Sequence, residues 1–314
     1  MSVPPKIPRM DNTAAAVAAI LFSVAALSLG DAIIKAISVD IPLWQLYVLR
    51  SLFVLPVLAA MVGLKAGTVR LIPRKALWTA LRSLLLVAMW VAYYASLPHL
   101  QLSLAAAAYY TSPLFITLFS AGLAGERVGA RRWFAIALGF AGVVVMLRPD
   151  AQGFDAWALL PVAAAVCYAL AMILTRTRCR DEDPLILSMA LNIAFILVGG
   201  IASLVLLQMD LSADRVAVNP FLFGGWTDLG GMSWAALAIL GAAMLVGSVF
   251  AAIAYQTGAA STVSAFDYSY LAFSAIWGLL FFAEMPDLLT VTGMAMIATA
   301  GIIAARSRPA VQAA

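Results

Sequence analysis

Apolar stretches of about 20 residues recur along the whole chain with only short polar breaks between them, and few folds accommodate that pattern. A hydrocarbon core of about 30 Å is crossed by about 20 helical residues rising about 1.5 Å each. Reading from break to break predicts helices at residues 13–38, 43–62, 76–97, 103–123, 132–147, 156–176, 185–207, 233–255, 260–282 and 288–305. Pro42, Pro73, Pro98, Pro149, Pro184, Pro220 and Pro286 fall in the breaks, where a missing backbone N–H costs least. Of the 314 residues, 64% are hydrophobic and 11% charged, which excludes an ordinary soluble domain. The expected fold class is an all-α polytopic membrane protein with ten transmembrane helices. The polar segment Met1 to Asp11 and the apolar run after it read as a retained first helix, not a cleaved signal peptide.

Basic residues set the expected orientation, because cytoplasmic loops carry the excess of Lys and Arg. With the N-terminus inside, fourteen of the 19 lie in inner segments: Lys6, Arg9, Lys65, Arg70, Arg74, Lys75, Arg127, Arg131, Arg132, Arg176, Arg178, Arg180, Arg306 and Arg308. Only Arg148 and Arg215 fall in outer loops, so both termini are expected on the cytoplasmic side of a cell membrane, a bacterial inner membrane. The net charge of +4 then faces anionic lipid headgroups and implies no nucleic-acid partner. The longest break, Gln208 to Met232, reads as an irregular outer flap, a gate or a passive connector, with Phe221, Phe223 and Trp226 at the interface.

The two halves of the chain align. A shift of 158 residues pairs Ser103 with Ser261, Ala107 with Ala265, Tyr110 with Tyr268, Phe115 with Phe273 and Glu126 with Glu284. Smaller shifts pair Pro42 with Pro184 and Trp78 with Trp234. Each half holds five helices, 13–147 and 156–305, and an odd number inverts the second unit in the membrane. Inverted repeats that meet near the midplane are an architecture of alternating-access transporters.

Asp31-x-x-x-Lys35 late in helix one, Pro42 before Arg50 in helix two, and the stretch from Tyr110-x-x-Pro113-Leu114 to Gly125-Glu126-Arg127 together resemble the drug/metabolite transporter superfamily, its EamA-type branch best. Ala283-Glu284-Met285 and Leu271 depart from that pattern in the second half. The resemblance implies a secondary transporter of small organic metabolites, amino acid derivatives or riboflavin- and adenosylmethionine-like solutes among them, by alternating access. It also implies a cavity lined by helices one, three, four, six, eight and nine, with helices four, five, nine and ten as support.

Five charges lie inside the predicted helices, where charge is costly without a partner, a watery cavity or a task. Depth sorts them. Asp31 and Arg50 fall about 10 Å below the outer face at about 1.5 Å per residue, close enough to pair, with Lys35 one turn above to share the carboxylate or snorkel outward. That outer cluster reads either as a clamp between helices or as a site for substrate or a proton. Arg82 and Asp267 fall near the inner face, on different repeats, and are expected to form an inner gate; a substrate-binding Arg82 and a static clamp are the rival readings. The charge tally favours an anionic or zwitterionic solute. Trp90, Tyr93, Tyr94, Tyr109, Tyr110, Tyr168, Tyr268 and Tyr270 are the aromatic candidates to line the site, with interface anchoring as the alternative; Asn192, near the position of Arg50 in the second repeat, and Gln256 are further polar candidates.

The lone His99, with Cys167 and Cys179 as the two cysteines, gives no cluster with metal-ligand spacing, so no cofactor or metal is expected. A membrane-embedded lipid enzyme would need a catalytic constellation, and no Gly-x-Ser-x-Gly or His-rich motif is present. A passive channel or scaffold is the other alternative. The expected partners are a small-molecule substrate and the bilayer, for a monomer or homodimer. Gly122-x-x-Gly125, Gly139-x-x-Gly142 and the run Ala105 to Ala108 are expected to let helices approach closely.

Overall fold

A computed structural model describes residues 13–64, 72–123, 129–147, 155–179, 182–209, 211–257 and 266–306, and among them there are helices and turns but no strand. The first half contains α1 (Thr13–Ile37), α2 (Leu43–Leu64), α3 (Ala76–Ser96), α4 (Leu102–Tyr109), α5 (Ser112–Leu123) and α6 (Ala130–Leu147). A 3-10 turn at Ala156–Ala158 leads into α7 (Leu159–Thr177), followed by α8 (Pro184–Gln208), the short α9 (Ala213–Val218) and α10 (Pro220–Phe223), α11 (Gly231–Thr257), α12 (Tyr270–Phe282) and α13 (Leu288–Arg306). Five helical segments, Thr13–Ile37, Leu43–Leu64, Ala76–Ser96, Ala156–Thr175 and Leu185–Gln208, are long and apolar enough to cross a bilayer, and five shorter apolar helices accompany them.

Local chemistry sets where these helices begin. Asp183 caps α8 by accepting from the Leu185 N–H, and Pro184 takes the first position, where its missing donor is of no consequence. The neighbouring Glu182 accepts from the backbone N–H groups of Arg74 and Lys75 at 3.1 and 2.7 Å, so the α7–α8 turn caps the start of α3. Along α8, Leu197, Ile201 and Leu204 form an exposed apolar stripe, which in a bilayer faces acyl chains at no hydrophobic cost.

The packing pairs helices across the two halves. α1 lies on α11, α3 on α7, α2 on α8, α4 on α12 and α6 on α13. The last pair is the tightest: a Cβ on Gly142 would meet the Gly293 carbonyl at 2.9 Å, and one on Gly293 the Gly142 carbonyl at 2.7 Å. Small residues here serve packing within the fold. Gly125, the end of the other glycine pair, lies outside the described residues.

Two differences from the sequence expectation bear on function. The predicted helix 103–123 is two helices, broken at Tyr110 and Thr111. Pro113 supplies no N–H and sits in the first turn of α5, where a helix can restart without it. The Thr111 hydroxyl meanwhile bonds back to the Ala108 carbonyl at 2.6 Å. The predicted helix 260–282 is likewise interrupted, by a turn at Tyr268 and Ser269 before α12, and Ser269 bonds back to the Phe266 carbonyl at 2.6 Å. Residues 258–265, which open that predicted helix, lie outside the described residues. The flap after Gln208 is seated, not loose: Trp44 Nε1 donates to the Leu222 carbonyl at 2.8 Å, Gln45 Nε2 donates to the Thr227 carbonyl at 2.8 Å, and Phe221 is buried.

Candidate functional site

The charged residues of the apolar helices fall into three places. At the end of the bundle that carries the α1–α2 turn, Lys35 forms an ion pair with Glu284, also donates to the Leu100 carbonyl, and sits 4.9 Å from the centroid of the Phe282 ring. The two side chains are 10% and 17% exposed, so the pair is sequestered. Glu284 reaches it because Ala283 ends α12 in the left-handed conformation, φ 53°, which turns the chain back on itself. The second Glu284 oxygen accepts from the Leu102 N–H at 2.8 Å and so caps α4. Lys35 thus reaches outward to Glu284 and does not share the Asp31 carboxylate.

In the middle lie Asp31 and Arg50, both buried. They do not form an ion pair. Asp31 accepts a hydrogen bond from the Tyr270 hydroxyl on one oxygen, and its other oxygen, Oδ1, has no partner among the described residues. The Arg50 guanidinium lies 4.6 Å from the centroid of Phe195 and 5.8 Å from that of Tyr47, a cation held by ring faces. Around these two charges the hydroxyls of Tyr47 and Ser51 are buried without hydrogen-bond partners among the described residues, while those of Tyr93 and Tyr94 face Asp31 and Arg50 without a well-formed bond. Buried polar groups are nearly always satisfied, and a cluster of exceptions marks a place built for a further partner.

At the opposite end, which carries the α2–α3 connection, Arg82 Nε donates to the Thr175 hydroxyl at 2.6 Å while Nη1 is buried without a partner among the described residues. Asp267 is half-buried just before the turn at Tyr268 and Ser269, and no ion pair joins it to Arg82 among the described residues. The expected Arg82–Asp267 contact is therefore not made in this conformation. Tyr168 lies close enough to both for each charge to act on its hydroxyl.

A continuous chain of rings links the middle to that end. Phe195 and Tyr47 are 4.7 Å apart, Tyr47 and Tyr94 6.2 Å, and Trp90 packs on Tyr94 at 4.8 Å. Tyr94 leads to Tyr93 at 5.8 Å, Tyr93 to Tyr109 at 5.2 Å, and Tyr109 to Tyr168 at 5.8 Å and Tyr110 at 6.0 Å. Tyr110 meets Tyr268 at 5.6 Å and Tyr270 at 4.9 Å. All eight aromatic candidates fall on this chain, and Tyr47 and Phe195 join them. Tyr47 has no signal in the sequence beyond standing three residues before Arg50. Asn192, placed by the repeat near the position of Arg50, instead bonds to its own helix at the Ser188 carbonyl, 3.0 Å away. A separate apolar crevice of about 590 Å³ between α3, α7 and α8, lined by residues such as Val91, Trp157 and Val198, contains none of these polar groups.

Buried charge, partnerless hydroxyls and ring faces inside an apolar helical bundle define a membrane protein with an internal polar site, and comparison with known proteins gives its family. The EamA-like transporter family model matches residues 14–148. A riboflavin transporter of Rhizobium johnstonii is 31% identical over 84% of this chain and 80% of its own. A pseudopaline exporter of Pseudomonas aeruginosa is 25% identical over 69% of this chain and 71% of its own, and an S-adenosylmethionine uptake transporter of Rickettsia felis 25% identical over 60% and 58%. A solved crystal structure at 19% identity covers 91% of this chain and 96% of that one with a TM-score of 0.58, a likeness of fold alone. The chain belongs to the EamA-like transporter family, within the drug/metabolite transporters. It is a multi-pass membrane protein whose class is transport of small metabolites and not enzymatic catalysis.

Proposed function

We propose that this protein is a secondary transporter, in a bacterial inner membrane, of flat aromatic metabolites that carry polar or charged groups, with vitamin and nucleoside derivatives as the leading class. The observation that carries the reading is the buried centre itself: Asp31 and Arg50 not joined in an ion pair, buried hydroxyls around them without well-formed partners among the described residues, and an aromatic chain beside them. Rings stack on ring faces, and donors and acceptors on the solute satisfy the orphaned groups. Relatives named for riboflavin and for S-adenosylmethionine, both flat heteroaromatic systems joined to a polar chain, support the same class.

Two further observations support alternating access. The paired packing is unchanged when the halves are exchanged: α2 on α8 and α6 on α13 map onto themselves, while α1 on α11 maps onto α7 on α3. The chain breaks at Thr111 and Ser269 are separated by the same 158 residues that align the sequence repeats, and both use a hydroxyl bonded back three residues. Both support ten spans in two inverted five-helix units, 13–147 and 156–305. On the orientation given by the basic loops, Lys35–Glu284 closes the outer end, while Arg82 and Asp267 stand apart at the inner one. That combination suits a protein open to the inside, whose inner gate forms on the other half of the cycle.

Counterflow in proteoliposomes tests the function: internal unlabelled riboflavin or S-adenosylmethionine should drive saturable accumulation of the labelled compound. A linear, non-saturating flux would instead indicate a channel. For the gate, Arg82→Asp and Asp267→Arg should each abolish counterflow and the double variant recover part of it; no recovery in a folded double variant would remove the pairing.

A further inference from the structure

One face of α1 holds α12 at both of its ends. Asp31 accepts from Tyr270, the first residue of α12, and Lys35, one turn on, pairs with Glu284, two residues past the last. Between them Trp277 Nε1 donates to the Ser28 hydroxyl at 3.0 Å. Ser28, Asp31 and Lys35 are spaced i, i+3 and i+7, the interval of a single helix face. The start of α12 follows directly on the turn at Tyr268 and Ser269.

Resting on the transport reading above, we propose that Tyr270 is the residue that couples solute recognition to the outer closure: its hydroxyl holds one Asp31 oxygen while the other is open, and a solute donor that bridges both oxygens displaces it and releases the start of the helix whose other end carries the Lys35–Glu284 pair. The phenol is a strong donor to that carboxyl oxygen, so an ammonium, or a polarised ring N–H, is the kind of group that competes for it. A solute offering acceptors alone satisfies Arg50 and leaves Tyr270 in place. Tyr270 therefore selects for solutes with a donor, and a ligand shifts the conformational balance only through such a difference in contacts between states.

Tyr270→Phe removes the competing hydroxyl and keeps the ring that packs on Tyr110 at 4.9 Å. Titration of purified full-length protein with riboflavin and with S-adenosylmethionine should give affinities about tenfold tighter in the variant, the scale of one lost competing hydrogen bond, while the maximal counterflow rate falls because release of α12 no longer depends on the solute. Riboflavin methylated on its ring N–H should bind wild type more weakly and lose that tenfold gain. A second arm needs no solute. Dicyclohexylcarbodiimide, an apolar carboxyl reagent, should label Asp31 severalfold faster in Tyr270→Phe than in wild type, read by mass spectrometry of the α1 peptide, with elution volume and melting temperature confirming the fold. Unchanged or weaker affinity in Tyr270→Phe would overturn the proposal, as would equal labelling of Asp31. If neither solute binds wild type, the substrate class proposed above falls, and the labelling arm alone decides the role of Tyr270.

Discussion

Lys35 and Arg50 are both cations embedded in apolar helices near the same end of the bundle, yet their surroundings are opposite. Lys35 has a carboxylate, a backbone carbonyl and a ring face, and its partner Glu284 is itself bonded to the start of α4. Arg50 lies against ring faces with the Tyr94 hydroxyl beside it and forms no ion pair among the described residues, and the hydroxyls of Tyr47 and Ser51 nearby have no partners among them. A saturated charge fixes the fold, whereas an unsaturated one waits for a ligand. The contrast divides the outer cluster of the sequence reading into a latch and a site.

Breaking the saturated side should damage stability most. Glu284→Ala leaves a sequestered ammonium uncompensated and should cost about 3 kcal/mol, seen as a lowered melting temperature in detergent; joint replacement of Lys35 and Glu284 by Met and Leu should restore most of it. On the unsaturated side the effect should move from stability to binding. Arg50→Ala should weaken binding of riboflavin by roughly 30-fold, about 2 kcal/mol for a lost charge-assisted contact, and change the melting temperature far less than Glu284→Ala does. If Arg50→Ala destabilised the protein as much as Glu284→Ala, the distinction between latch and site would fail.

Smaller effects sharpen the latch. Ala283 adopts φ 53°, the left-handed conformation in which a Cβ is strained, and the aligned position in the first half is Gly125. Ala283→Gly should raise stability by up to about 1 kcal/mol, the relieved strain exceeding the added freedom of the unfolded chain. Next to the latch, His99 stacks on Trp157 at 3.9 Å and approaches the Asn219 side chain at 3.2 Å. Burial lowers the pKa of this imidazole below the ordinary value of 6.5, with nearby Asp155 opposing. The neutral ring is thus the folded form; its contribution is lost as pH falls through and below 6.5, and a modest drop in melting temperature on acidification should vanish in His99→Gln.

The sequence made the long helices legible because a 20-residue apolar run bounded by proline has one reading in a bilayer. It did not reveal the breaks at Tyr110 and Tyr268, since apolar residues resume on both sides of Tyr109 to Pro113 and the whole stretch from Leu102 to Leu123 reads as one span. The available signal was Thr111-Ser112-Pro113, a back-bonding hydroxyl just before a proline. No local pattern joins Lys35 to Glu284, 249 positions apart, so the latch needed the structure. The same holds for Tyr270: two residues beyond Tyr268, it belongs to the helix after the turn, and only the turn aims it at Asp31.

The account stands on the buried Asp31–Arg50 centre being the solute site, and calorimetric titration of riboflavin into wild type and Arg50→Ala tests that most directly. Saturable binding in wild type that is lost or weakened at least tenfold in a variant of near-normal melting temperature is the predicted result. Equal affinity in the two proteins would contradict it and move the site away from this centre.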